Sequence, residues 1–135
     1  MYEHRGQLRF SDSDAMGHVN HARFATLFED ARIAMLRHEA GTADLPARGM
    51  ILARLEIDYL RPMLVDAEPV VVRTSVGRIG TSSFDIDYEL IQHDATCARG
   101  HTVLVAYDYA AGRSRPLTET ERVRLMSLRE VPPAG

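Results

Sequence analysis

RFSDSDAMGHVNHARF, residues 9–24, places two carboxylates and two histidines within ten positions, just ahead of an apolar pattern of helical period. The stretch reads as the end of a strand, a turn at Ala15, Met16 and Gly17, and the start of a helix near Asn20. Beyond it, from Asn20 to about Glu39, Phe24, Leu27, Phe28, Ala31 and Met35 recur at i, i+3, i+4 and i+7, while Arg23, Glu29, Asp30, Arg32 and Arg37 take other positions. Asn20 suits an N-cap and Gly41 a C-terminal stop. This predicts one long helix packed on another layer.

Four strand-like runs follow: Gly49–Pro62, Glu68–Gly80, Ser82–Asp94 and Arg99–Ala110. The third alternates cleanly, with Phe84, Ile86, Tyr88 and Leu90 on one face and Asp85, Asp87 and Glu89 on the other. One face of that strand is therefore buried and the other wet. Gly77, Gly80 and the TSS beside them suit one turn, and HDATCARG another, which predicts an antiparallel meander. PLTETERVRLMSLRE reads as a short terminal helix capped near Thr118 or Thr120, and residues 130–135 as a frayed tail. With an early strand at about residues 4–11, the fold class is α+β: one antiparallel sheet covering a single helix. A lone helix covers only one face and leaves edge strands to be managed, for which self-association is an economical solution.

Bulk properties narrow the function. The 135 residues, 45% hydrophobic and 26% charged, suit one globular domain spanning 1–135. No run approaches the ~20 apolar residues of a membrane helix, and MYEHRGQLRF lacks a signal peptide's apolar segment, so the cytoplasm is the expected compartment. Cys97 stands alone, which excludes an intramolecular disulfide and predicts a buried, inert thiol. All 16 basic residues are arginine, so no lysine can form a Schiff base. A net charge of −3 without a basic tract argues against a nucleic-acid partner.

The polar cluster gathers where the first amides of a helix lack partners and the helix dipole is positive, a place that stabilises an oxyanion. Asp14 there is placed as a nucleophile or general base against an electrophilic carbonyl. Plain alternatives exist: either aspartate can cap the turn or the helix. His18 and His21 could ligate a metal together with the aspartates, but a bare His-x-x-His pair lacks the i, i+4 spacing of a zincin and a third strong ligand. No serine stands in a nucleophile-elbow context, which disfavours a Ser-His-Asp triad.

DSDAMGHVNHARF resembles the Asp-x-Asp-x-x-Gly-x-Val signature of the 4-hydroxybenzoyl-CoA thioesterase family of hotdog-fold proteins, particularly its GHVN-bearing acyl-CoA thioesterases. The resemblance continues through IDYLRPMLVDAEPVVVRTSV and GRIGTSSF and spans roughly residues 4–125. It implies a hotdog fold, a five-stranded antiparallel sheet wrapped around one central helix, paired into a homodimer or homotetramer. It also implies that Asp14 is the catalytic carboxylate, that the backbone N–H of His21 polarises the thioester carbonyl, and that Gly17 allows the turn's close approach. Some relatives carry Tyr where this chain has Phe10, so any task of that hydroxyl is absent or performed elsewhere. Substrate contacts are expected from His18, Asn20, Phe24, Arg61, Arg78 and Ser83. Coenzyme A enters as part of the substrate, and no cofactor or metal is expected.

The chemistry is consistent with so sparse a site. A thioester carbonyl is weakly resonance-stabilised and its leaving thiol is acidic, with a pKa near ~8.5, so little general-acid assistance is needed. Of the consecutive basic residues that one branch of the family places at the matching hairpin, only Arg78 remains, with Arg61 and Arg54 as other candidates for a phosphate patch. An acyl-carrier-protein thioester is thus an alternative substrate. A noncatalytic acyl-CoA sensor is an alternative function, although the chain shows no helix-turn-helix or other output module.

Overall fold

A computed structural model describes residues 1–38, 49–66 and 68–129. Within it the periodic run becomes α1, His21–His38. Phe24, Leu27, Phe28, Ala31 and Met35, the predicted apolar face, are all buried. That face packs on the sheet, where the fully buried Phe28 stacks its ring on Tyr88 with centroids 4.7 Å apart. Gly100 makes this approach possible, because a Cβ there would lie 2.4 Å from the Phe28 ring. Glu39 and Gly41, at the predicted helix end, and the tail 130–135 lie outside the described residues.

The strands are β1 (Tyr2–Gly6), β2 (Met50–Tyr59), β3 (Val70–Ile79), β4 (Ser83–Gln92), β5 (Ala95–Asp108) and the two-residue β6 (Arg113–Ser114). Their order is β1-β3-β4-β5-β2, all pairs antiparallel, with β6 paired to β5. A second helix, α2 (Glu119–Ser127), is capped by Thr118 in a reciprocal box with Glu121. The antiparallel sheet with one helix against it is the α+β hotdog architecture, and β3-β4-β5 form the predicted meander. The register also writes a row of alternating charge across the outer face: Glu3, Arg73, Glu89, Arg99 and Asp58 on five successive strands. Such a face is solvated, whereas the opposite one is the core.

Three expectations need correcting. The first strand ends at Gly6, and Phe10–Asp12 form a 3-10 turn, because the Asp12 carboxylate accepts the Arg9 amide (2.8 Å) and draws the chain round. The turn after β4 is only His93–Asp94, both at positive φ (52° and 59°), so ATCARG belongs to β5 rather than to a loop. The first of the four late runs, β2, does not join the meander but pairs with β5 at the far edge of the sheet.

That edge differs from the rest. Helix α1 packs chiefly on β1, β3 and β4, reaching β5 where Phe28 meets Gly100. The register puts Leu52, Leu55, Ile57 and Tyr59 on the same face as Leu104, Thr102, Gly100 and Ala98, the face toward α1. Leu52, Leu55 and Tyr59 nevertheless stay 38–49% exposed. An apolar inner face on a ten-residue edge strand, paired on one side only among the described residues, is thus left partly uncovered by them.

Candidate active site

The loop between β1 and α1 is built by its two aspartates in different ways. Asp12 is buried, with its Oδ1 2.7 Å from the Arg23 guanidinium near the start of α1. It fastens the loop to the helix and has no room for substrate. Asp14 is exposed and opens a tight turn: its Oδ1 accepts the amides of Met16 (2.9 Å) and His18 (3.3 Å). Gly17, at φ 81°, makes the turn possible and donates its amide to the Asp14 carbonyl (3.1 Å). One carboxylate oxygen is therefore anchored, while Oδ2 has no partner among the described residues.

The helix start is held just as firmly. Val19 donates its amide to Met63 O (2.8 Å), and Asn20 donates to Asp12 O (2.8 Å). The Asn20 side chain then caps the helix by accepting the Ala22 amide at 2.9 Å, as its position in the sequence predicts. Between these bonded neighbours, the His21 amide donates to none of the described residues. It is the kind of orphan donor that a helix N-terminus offers to an anion.

The segment after β2 closes the site. Leu60 and Arg61 both donate their amides to Cys97 O, at 2.8 and 3.0 Å, so the chain leaves the sheet directly after Tyr59. Leu64 then bridges to His18, and the buried Gln92 side chain holds Leu64 at both its amide (3.1 Å) and its carbonyl (2.7 Å). The result is a cleft of about 340 Å³ whose wall includes Asp14, His18, His21, Phe24, Tyr59 and Arg61. The Arg61 guanidinium has no hydrogen-bond or ion-pair partner among the described residues.

Of the predicted site residues, the cleft brings together Asp14, His18, His21, Phe24 and Arg61, with Gly17 and Asn20 shaping its loop. Arg78 and Ser83 are not part of it. They meet each other on the β3–β4 hairpin, where Arg78 donates to Ser83 Oγ (3.0 Å) and Asp85 Oδ1 (3.1 Å). Arg54 is likewise paired, with Glu56. Cys97 is buried as expected, and burial pushes its thiol above the ordinary value. Among the described residues no three His, Cys, Asp or Glu side chains form a group that could hold a metal ion, and no helix is long and apolar enough to cross a membrane. Sequence reading missed Tyr59. Its signal was the alternation Leu55, Ile57, Tyr59, which aims the last ring of β2 at the helix side just before the chain breaks away.

Residues 8–130 match the family described as the thioesterase-like superfamily. The chain belongs to that superfamily. A thioesterase from Thermus thermophilus, solved in complex with coenzyme A and Zn, is 33% identical; the match covers 96% of this chain and 95% of that one at a TM-score of 0.84. A predicted thioesterase from Bacillus stearothermophilus is 27% identical over 97% of this chain and 98% of its own, also at 0.84. The uncharacterized protein YsmA of Bacillus subtilis (strain 168) is 27% identical over 90% of this chain and 83% of its own length.

Proposed function

We propose that this superfamily member is a cytoplasmic acyl-CoA hydrolase of the 4-hydroxybenzoyl-CoA thioesterase branch, releasing free acid and coenzyme A. The observation that carries the reading is that Asp14 Oδ2 and the His21 amide, both without a partner among the described residues, belong to residues lining the same cleft. In one route Oδ2 attacks the thioester carbon, the thiolate leaves, and water hydrolyses the resulting mixed anhydride. In the other, Oδ2 takes a proton from water as the water oxygen adds to the same carbon, and the thiolate leaves from the tetrahedral adduct. Both routes put negative charge on the carbonyl oxygen, where a fixed amide donor is most useful. His18 and Phe24 line the path of the acyl group or the pantetheine arm, and Arg61 offers a free cation to the carrier. The reading calls on no cofactor or metal.

The functional unit is proposed to be a homodimer or a dimer of dimers, with the uncovered β2 face as the contact. Within one chain Arg78 and Ser83 lie at the wrong end of the sheet: Ser83 pairs with Val105 and Tyr59 with Ala98, seven residues apart on β5, about 23 Å at ~3.3 Å per residue. Antiparallel pairing of two β2 edges would turn one hairpin end toward the other chain's cleft, so Arg78 is proposed to meet the carrier from the partner chain. Because Arg78 is already engaged with Asp85, an acyl-carrier-protein thioester is the second reading.

The test is a hydrolysis screen over short, long and aromatic acyl-CoAs and acyl-carrier-protein thioesters, with free thiol as readout. Turnover of at least one acyl-CoA, unchanged by EDTA, is expected. Turnover of carrier-protein thioesters alone would move the reading to the second substrate, and binding without turnover would make the chain a sensor.

A further inference from the structure

We infer that Tyr59 is a positioning residue for the oxyanion donor: it latches the first turn of α1 to the edge strand and so fixes where the His21 amide points. The inference rests on the hydrolase reading of this cleft. Its basis is a bond between elements far apart in sequence. The Tyr59 hydroxyl, at the end of β2, donates to the His21 carbonyl at 2.9 Å. The Tyr59 ring lies 5.0 Å from the Phe24 ring and edge-on to the His21 ring at 6.3 Å, so it contacts both cleft-lining residues of the first turn.

A donor can stabilise a developing oxyanion only if it is already aimed at it, and the aim of an N–H is set by the peptide units on either side. Upstream of His21 the chain is clamped through the amides of Val19 and Asn20, and the Asn20 carbonyl accepts the Arg23 amide (2.9 Å). Downstream, the Ala22 amide is held by the Asn20 side chain, and the His21 carbonyl by Tyr59. Asn20, the residue before His21, restrains both sides; Phe24 packs the turn into the core, and among the described residues the Tyr59 hydroxyl supplies the hydrogen bond that ties its backbone to the sheet. Without that tie α1 is still anchored over β1, β3 and β4 and, through Phe28, at Gly100 of β5, but its first-turn backbone loses its hydrogen bond to β2. Tyr59 is 49% exposed, so its hydroxyl gains nothing from burial that water could not supply. Its value lies in orientation.

Tyr59→Phe keeps the ring wall and removes only the latch. We expect kcat and kcat/KM to fall together by about tenfold, with KM within about twofold, as for a contact that acts on the transition state. The Tm should stay within about 2 °C. Hydrogen exchange supplies a readout independent of turnover: the Ala22 and Arg23 amides should exchange at least about fivefold faster, with the core strands unchanged. Tyr59→Leu, which also removes the wall, should in addition raise KM. Unchanged kcat and unchanged first-turn exchange in Tyr59→Phe would overturn the inference. Faster exchange throughout the chain with a lowered Tm would assign Tyr59 to stability and overturn it too. If the unsubstituted chain hydrolyses no acyl thioester, the hydrolase reading fails on its own, while the exchange experiment still decides whether the latch exists.

Discussion

From the β3–β4 hairpin inward along the outer face of the sheet, polar side chains close on one another: Arg78 holds Ser83 and Asp85, and Asp85 and Asp87 hold His101. At the opposite end, where α1 begins, the loop backbone is as well bonded, yet one carboxylate oxygen, one amide and one guanidinium are left without partners among the described residues. A closed network spends its polar groups on holding strands in register. An open one, held rigid from behind, keeps them for something that is not part of the chain. The difference separates residues that look alike in sequence, Asp12 from Asp14 and Arg78 from Arg61.

The largest expected effect lies in the aspartate pair. Asp14→Asn retains an Oδ1 for the Met16 and His18 amides, so the loop should keep its shape while kcat falls by about three orders of magnitude. Asp12→Asn should do the reverse. It weakens the pair with Arg23, whose own side chain is 42% exposed, so the loss is discounted to about 1–2 kcal/mol of stability, with kcat reduced only a few-fold. Steady-state kinetics and thermal melts of both variants check this. Near-normal turnover in folded Asp14→Asn would remove the reason for distinguishing the two ends.

Much of this is legible in the sequence because the signals are local. The helix face from Phe24 to Met35, the alternation of β4, the Asn20 cap and the Thr118 cap each depend on residues a few positions apart. What escapes reading is non-local. That β2 pairs with β5 rather than with β3 depends on where α1 leaves the sheet free, and nothing within Met50–Tyr59 records it. The early strand, expected at about residues 4–11, ends at Gly6, and the Asp12 carboxylate, which accepts the Arg9 amide, bends the chain beyond it. Tyr59 and Gln92 reach the site from 38 and 28 residues away along the chain from the groups they hold. Resemblance places Arg78 near the substrate, and its commitment to Asp85 is visible only once the hairpin is folded.

The second effect concerns the uncovered face that lies between the two ends. Leu52 and Leu55 are already 43% and 38% exposed, so replacing both with Glu should cost the single chain little. If two β2 edges pair so that these leucines meet across the seam, the same double substitution removes about 0.6–1.2 kcal/mol per leucine, for the roughly two-fifths of each still exposed, and adds two desolvated carboxylates per chain, raising the dimer Kd at least about a hundredfold. Light scattering across a dilution series measures it. A stable, active monomer before substitution would mean that the cleft is complete without a partner.

A smaller effect tests the arginines. Arg61→Ala and Arg78→Ala should each raise KM for acyl-CoA by about three- to fivefold with kcat nearly unchanged, because a solvent-exposed contact to a remote phosphate is worth under ~1 kcal/mol and is made equally in ground and transition states. A truncated acyl-pantetheine thioester should be indifferent to Arg78→Ala. Mixing Asp14→Asn with Arg78→Ala chains distinguishes the two ends further. If Arg78 acts across the dimer, each mixed dimer regains one complete site with the unsubstituted KM. If it acts within its own chain, no complete site forms and KM stays raised.

The smallest effect is a pH dependence confined to the closed network. His101 on β5 faces Asp85 and Asp87 on β4 and Glu56 on β2; its Nδ1 lies 2.7 Å from Asp87 and its Nε2 3.2 Å from Asp85. Both nitrogens can donate only in the imidazolium, and the hydrogen bond to Asp87, aided by the charges of all three carboxylates, raises the group above its ordinary 6.5 against a desolvation that lowers it. A raised histidine contributes stability that is fully present below its unfolded value and is lost as pH rises through the folded value. The stability difference between the unsubstituted chain and His101→Gln should therefore be fully present below the ordinary histidine value of 6.5 and fade as pH rises through the raised folded value, as denaturant melts at each pH would show. A gap that instead widens with pH would mean that His101 is held neutral, and that the carboxylates around it are neutralised by Arg78 and Arg54 alone. Because His101 lies on the outer face of the sheet, whereas the cleft opens on the inner one, kcat at saturating substrate should not follow this titration, and a kcat profile that did so would join the network and the cleft into one site.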